Sequence, residues 1–124
     1  MNDARRGTAS PEAYFAEALR AGRLEIQVCR SCARAFFFPR THCTHCRSQD
    51  YAWRPMRAGA TLYSYSEIPA TPQAPARNVI LADMDEGFRM MSTLVGAGEL
   101  RIGSRLTARP DPQRARVVFE QEAP

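Results

Sequence analysis

Four cysteines and two histidines, all that the chain has, fall within the stretch CRSCARAFFFPRTHCTHC, from Cys29 to Cys46. The spacing is C-x-x-C, ten residues, then C-x-x-C again. A C-x-x-C turn aims two thiolates at one point, and two such turns supply the four soft ligands that tetrahedral zinc takes at about 2.3 Å. Cys29, Cys32, Cys43 and Cys46 are therefore the expected zinc ligands, in a zinc ribbon. His45 lies inside the second C-x-x-C and His42 directly before it. With four thiolates already in place, both histidines are expected outside the ligand set. Four protein ligands leave no open position for water or substrate, so the zinc is expected to be structural. The start, MNDARRGTASPEAYF, has no apolar stretch behind its two arginines and does not read as a secretory signal. The address that follows is cytoplasmic, where thiols stay reduced and metal is favoured over disulfides.

Outside this stretch the means for chemistry are few. All 17 basic residues are arginine, so there is no lysine for a Schiff base or a phosphate-binding loop. Asp83, Asp85 and Glu86 cluster, but Asp85-Glu86-Gly87 is turn chemistry, and all three read as structural. No G-x-S-x-G and no phosphate-cradling glycine loop occurs. The C-terminal part is thus not expected to catalyse a reaction by itself. The net charge of +4, with arginines scattered among 13 acids, permits an anionic partner without demanding one. No apolar run is long enough to span a membrane.

The elements that must position these residues follow from local pattern. Residues 1–9 read as a polar tail. Ser10 is a good N-cap, Pro11 suits the first helical position, and Glu12 complements the helix dipole. A helix is predicted from Pro11 to Ala21, with Gly22 as its stop. Strands are predicted at RLEIQVC, at Ala60–Ile68, at NVILADMD, at FRMMSTLV, from near Ser104, and over Ala115–Gln121. In Ala60–Ile68, alternation places Leu62, Ser64, Ser66 and Ile68 on one face and Thr61, Tyr63 and Tyr65 on the other. Pro69–Arg77, with three prolines, reads as an exposed loop. Five short strands after a helix and a cysteine module suggest a small Greek-key barrel, with the OB-fold as leading candidate. The expected division is residues 1–57, helix and ribbon, and residues 58–124, barrel.

Two apolar groups have both a packing and a partner reading. Tyr14 and Phe15 lie on the apolar side of the helix, and Phe36, Phe37 and Phe38 stand beside the metal turns. A ribbon this small has little interior, so these rings either cover zinc and barrel or form a partner-binding patch.

The ordered combination is specific. YFAEALRAGRL leads into IQVCRSC, then FPRTHCTHC, a tryptophan in YAW, GATLYSYSEI, a proline-rich loop, VILADMDEGFRMMSTLVG and LRIGSRL. From about Glu12 to Phe119 the chain resembles the acyl-CoA-associated family that joins a rubredoxin-like zinc ribbon to an OB-fold. Ala33 and Arg47 stand where that family often has glycine, just after each second cysteine. The resemblance implies a mainly β fold: an N-terminal helix, a rubredoxin-like zinc ribbon and a five-stranded Greek-key OB-fold barrel. It also implies a non-catalytic accessory subunit of an acyl-CoA thiolase or retro-aldolase of lipid or steroid side-chain breakdown, or of a hotdog-fold hydratase. Such a subunit stabilises its partner and helps shape the acyl-CoA site. On that reading the Pro69–Arg77 loop reaches toward the CoA entrance, with Arg57, Arg77 and Arg89 as candidates for CoA phosphates. The alternative is a single-stranded nucleic-acid-binding OB-fold with Tyr63, Tyr65 and Phe88 as stacking platforms. The interleaving of acids with the arginines disfavours it.

Overall fold

The computed structural model describes residues 10–96 and 98–122, and the expected polar tail over residues 1–9 lies outside them. Helix α1 spans Pro11–Arg20 and begins as its sequence dictates. Ser10 Oγ accepts the Ala13 N–H at 3.1 Å, and Glu12 and Arg20 sit at the dipole ends that favour them. It ends one residue before the predicted Ala21. Gly22 at φ 81° allows the Gly22 N–H to reach the Leu19 carbonyl and the Arg23 N–H to reach that of Ala18.

Two antiparallel sheets follow. The first has order β2-β1-β3, from β1 (Glu25–Cys29), β2 (Ala35–Phe36) and β3 (Tyr51–Pro55). The second has order β6-β5-β4-β7-β8, from β4 (Gly59–Ile68), β5 (Arg77–Met84), β6 (Arg89–Ser92), β7 (Arg105–Asp111) and β8 (Arg116–Gln121). This second sheet curls into the five-stranded OB-fold barrel. Its rim is not fully closed: just beyond β6, Leu94 meets Phe119 of β8 in a single parallel bridge. The proline-rich loop is mostly exposed, with Thr71 and Ala74 bridging its tip.

The predicted alternation in β4 is corrected by a bulge. Leu62 pairs with Ala82 but Ser64 pairs with Leu81, so Tyr63 is the extra residue. The inward face therefore stops at Leu62, and Ser66 is exposed instead of following it. β4 also pairs with β7 only over Gly59–Thr61, so its outer half leaves the barrel beside β5 alone.

The core does not respect the boundary between sheets. Leu19 from α1, Ile26 from β1 and Met56 from the connection pack into one cluster with Leu62, Ile80, Leu106 and Phe119 of the barrel. Burying a Leu or Ile side chain contributes roughly 2–3 kcal/mol, so helix and ribbon add substantially to a small barrel's stability. No helix among the described residues is long and apolar enough to cross a membrane.

At the base of the barrel, Arg105 grips the Asp85 carboxylate with two hydrogen bonds, of 2.7 and 3.0 Å, and donates a third, of 3.0 Å, to Thr61. Gly59 makes room for this pair, because a Cβ there would collide with the Asp85 carboxylate. The hydrogen bond from Arg105 holds the Asp85 pKa below its ordinary value of 3.8. A depressed folded-state pKa contributes stability above the unfolded value and loses it as pH falls through the folded one. We predict that Asp85→Asn and Gly59→Ala both lower Tm at pH 7. The Asp85→Asn deficit should shrink steadily below pH 3.8, as thermal denaturation across a pH series would show.

Candidate functional site

The two metal turns are built on one plan. Around Cys29, its N–H reaches the Arg34 carbonyl and the Ala33 N–H returns to the Cys29 carbonyl, both at 2.9 Å. Around Cys43, its N–H reaches the Ser48 carbonyl at 2.9 Å and the Arg47 N–H returns at 3.0 Å. Each turn closes through a left-handed residue, Ala33 at φ 66° and Arg47 at φ 67°. These are the positions where glycine was expected, because a Cβ in this conformation costs roughly 1–2 kcal/mol. β1 delivers Cys29, and its pairing with β3, Cys29 opposite Tyr51, anchors the first turn.

All four sulfurs gather within 4.8 Å of one another. Cys29 and Cys46 sulfurs are 3.5 Å apart, Cys32 and Cys43 sulfurs 3.6 Å. A tetrahedron with bonds of about 2.3 Å has edges of about 3.8 Å, so the four thiols fit zinc. Backbone donors already point at the sulfurs: Ser31 and Cys32 N–H to Cys29 at 3.3 and 3.4 Å, His45 N–H to Cys43 at 3.3 Å. The Cys32 N–H, and then the Ser31 N–H working against burial, lower the Cys29 pKa to about 6. Cys43 is lowered too: burial opposes this, but the Cys46 and His45 N–H groups outweigh it. Cys46 has a favourable Ser48 N–H, yet the sulfurs of Cys29, Cys32 and Cys43, together with desolvation, push its pKa up to about 11. A bound cation would displace the retained protons, so metal affinity rises with pH. His42 faces Thr41 and His45 faces Arg34, so neither histidine joins the sulfur cluster.

Beneath the metal turns lies a second, small core of Cys29, Phe36, Cys43 and Tyr51. Phe36 was a candidate for a partner surface, and its burial corrects that: at 1% exposure it fills the ribbon's interior edge-on to Tyr51. The other rings form a run across the molecule. Tyr14 and Phe15 meet Trp53 at 4.5 and 6.3 Å, Phe15 meets Phe37 at 5.7 Å, and Phe37 stacks on Phe88 at 5.9 Å. Tyr14 also donates its hydroxyl to Glu25 at 2.7 Å. Phe38 is stacked on Phe37 at 4.8 Å but is 62% exposed, the one ring of the five with most of its surface in solvent.

Gln27 is a structural support of the site that pattern reading missed. It is buried in β1, and its side-chain amide copies a strand partner, donating to the Arg40 carbonyl at 2.6 Å and accepting the Arg40 N–H at 2.9 Å. That clamp fixes the FPR segment between the two metal turns. The one sign in the sequence is its two-residue step from Cys29, which puts both on one face of β1.

The three candidate arginines do not converge. Arg89 is paired with Asp83 at 2.6 Å and lies 3.6 Å over the Tyr63 ring. Arg57 is exposed near the same barrel end, where its backbone N–H bonds Glu86 at 2.9 Å. Arg77 starts β5 at the opposite end, beside the proline-rich loop. Six residues from Arg77 to Asp83, the strand partner of Arg89, cover roughly 20 Å of extended chain. Asp83, Asp85 and Glu86 are each engaged, by Arg89, Arg105 and the Arg57 N–H, in structural contacts.

Two family models match the chain in tandem: the ChsH2 rubredoxin-like zinc ribbon domain over residues 16–52 and the ChsH2 C-terminal OB-fold domain over residues 53–110. A protein of Thermomonospora curvata named "Probable enoyl-CoA hydratase alpha subunit" is 33% identical over 122 residues, covering 90% of this chain and 38% of that protein. The chain thus spans about two fifths of the length of that curated relative. Among solved structures, the Ltp2-ChsH2(DUF35) aldolase contains a chain 28% identical, with a TM-score of 0.74, covering 91% of this chain and 95% of the other. A DUF35-family protein of unknown function from Sulfolobus solfataricus superimposes with a TM-score of 0.66 over 97% of this chain and 92% of its own, at 15% identity, which shows the shared fold. The ribbon family and the sulfur geometry together make this a structural zinc centre.

Cys43→Ser is expected to purify with substoichiometric zinc and without a cooperative thermal transition. The apparent binding energy of a structural zinc, about 10–16 kcal/mol, rivals the whole stability of a domain. Metal analysis and calorimetry check it. In contrast, Ala33→Gly or Arg47→Gly should raise the Tm of the zinc-loaded chain by roughly 4 °C each, since each removes about 1 kcal/mol of left-handed strain.

Proposed function

Because the chain belongs to the family that joins a ChsH2 rubredoxin-like zinc ribbon to a ChsH2 C-terminal OB-fold, we propose that it is a non-catalytic accessory subunit of an acyl-CoA enzyme, a thiolase or retro-aldolase. It stabilises the partner and helps shape the acyl-CoA site, in the breakdown of lipids, steroid side chains or related acyl-CoA compounds in the cytoplasm. The observation that carries this is the likeness, over almost the whole chain, to the ChsH2 part of the Ltp2-ChsH2 aldolase. The name of the Thermomonospora curvata relative supports an acyl-CoA setting and admits a hydratase as partner. In this reading Cys29, Cys32, Cys43 and Cys46 hold the zinc, and the boundary between ribbon and barrel lies near residue 57. The partner supplies the reacting groups, which agrees with a barrel whose clustered carboxylates are tied to arginines.

The partner surface centres on Phe38, with Phe37, Phe15 and Tyr14 packed behind it as support. Arg77 with its loop, and Arg57 with Arg89 at the other barrel end, are two separate candidates for CoA phosphates, of which one set can serve a given CoA. The nucleic-acid reading is weakened by Arg89, which covers one face of the Tyr63 ring that a base would need.

Tagged chain recovered from its native lysate is expected to bring down a thiolase-like, aldolase or hydratase polypeptide in near-equal amount. Nucleic acid released by salt, with no such enzyme, would move the assignment to the OB-fold's other use. Phe38→Asp should abolish that co-elution while leaving the isolated chain's Tm within about 2 °C of the parent, as befits an exposed surface substitution. Undiminished co-elution would remove Phe38 from the interface.

A further inference from the structure

The four cysteines are unequal in exposure. Cys29 and Cys43 are each 1% exposed and Cys32 is half-buried, while Cys46 is exposed. The Cys46 sulfur faces that of Cys29 at 3.5 Å, across the gap between the two metal turns. Directly after Cys46 comes Arg47, held in the left-handed conformation without the freedom of glycine. The most exposed of the four cysteines therefore sits in a strained turn, with its sulfur 3.5 Å from that of a buried cysteine of the opposite turn.

We propose that Cys46 is an oxidation-sensitive latch on the metal site, through which a hydroperoxide makes the chain give up its zinc. The proposal concerns the ribbon alone and does not depend on which enzyme is the partner. In the first step the Cys46 thiolate attacks one oxygen of hydrogen peroxide. The O–O bond breaks, hydroxide leaves, and Cys46 becomes a sulfenic acid, its sulfur oxidised by two electrons and the peroxide reduced by two. In the second step the Cys29 thiolate attacks the Cys46 sulfur. The S–O bond breaks, a second hydroxide leaves, and the 3.5 Å gap closes to a disulfide of about 2.05 Å. Two protons from the buffer turn the two hydroxides into water. Cys32 and Cys43 are then the only thiolates left, too few to hold zinc in a tetrahedral site. Opening the second turn also releases the strain at Arg47, which favours loss of the metal. A dithiol reductant reverses the disulfide, and added zinc restores the site.

The test uses the zinc-loaded full chain and hydrogen peroxide, with released zinc followed by a chromogenic chelator. Dimedone traps sulfenic acid, and peptide mass spectrometry locates both adduct and disulfide. The expected result is dimedone on Cys46, a Cys29–Cys46 disulfide, release of the zinc in step with that disulfide, and full reloading after reduction. Arg47→Gly, which folds with less strain, should lose zinc about fivefold more slowly, the equivalent of roughly 1 kcal/mol of left-handed strain. A first adduct on another cysteine, a Cys43–Cys46 disulfide, zinc retained after Cys46 oxidation, or failure to reload would each overturn the proposal. An unchanged rate in Arg47→Gly would overturn the contribution of strain.

Discussion

Four sulfurs brought within 4.8 Å of one another repel as anions and cannot all ionise unless a cation sits among them. That constraint governs the N-terminal half. Two turns of the same design, each bent through a left-handed residue, exist only to aim these sulfurs, and their backbone N–H groups are spent on the sulfurs and on closing the turns. The metal makes the arrangement favourable and ties the end of β1 to a loop more than ten residues later in the chain. β1 in turn carries Ile26 into the core shared with the barrel and Gln27 to its clamp on Arg40.

A barrel of this size has a modest interior, and the chain enlarges it by lending residues across the sheet boundary. Leu19, Ile26 and Met56 complete the barrel core, and a run of aromatic rings from Tyr14 through Trp53, Phe15 and Phe37 to Phe88 binds helix, ribbon and barrel into one packed body. Most of the aromatic surface is consumed this way. What remains outside is Phe38 on the ribbon and the β4–β5 arm with Tyr63 and Tyr65. The arm continues past the last pairing of β4 with β7, and a lone pair of strands in water is marginal. Both features suit the proposed accessory role, in which the chain completes its burial against an enzyme.

How much of this was legible depended on whether the cause was local. The helix could be placed to within one residue because its cap, proline and glycine act within one turn. The zinc site was legible because C-x-x-C spacing is a covalent ruler, and the left-handed residues Ala33 and Arg47 fell where the turn demanded glycine. β2, two residues long, and β3, YAWRP, were not foreseen as strands, since they exist through pairing with β1. The bulge at Tyr63 broke a regular alternation, and no residue type there announces it. The fate of the three phenylalanines was also hidden: Phe36, Phe37 and Phe38 are chemically alike, and only the tertiary fold makes them buried, half-buried and exposed. Arginine positions on strands gave no sign that Arg77, at the start of β5, and Arg89, at the start of β6, lie beside opposite ends of β5.

The central claim is that the metal and the shared core form one mechanical unit, so that the ribbon is a structural support for the barrel and for the proposed partner surface. Hydrogen exchange of the zinc-loaded chain against chelator-stripped chain tests it most directly. Loss of amide protection in α1, in β1 and around Met56, together with the metal turns, is the result the account predicts. Protection lost in the two metal turns alone, with α1 and the barrel unchanged, would contradict it.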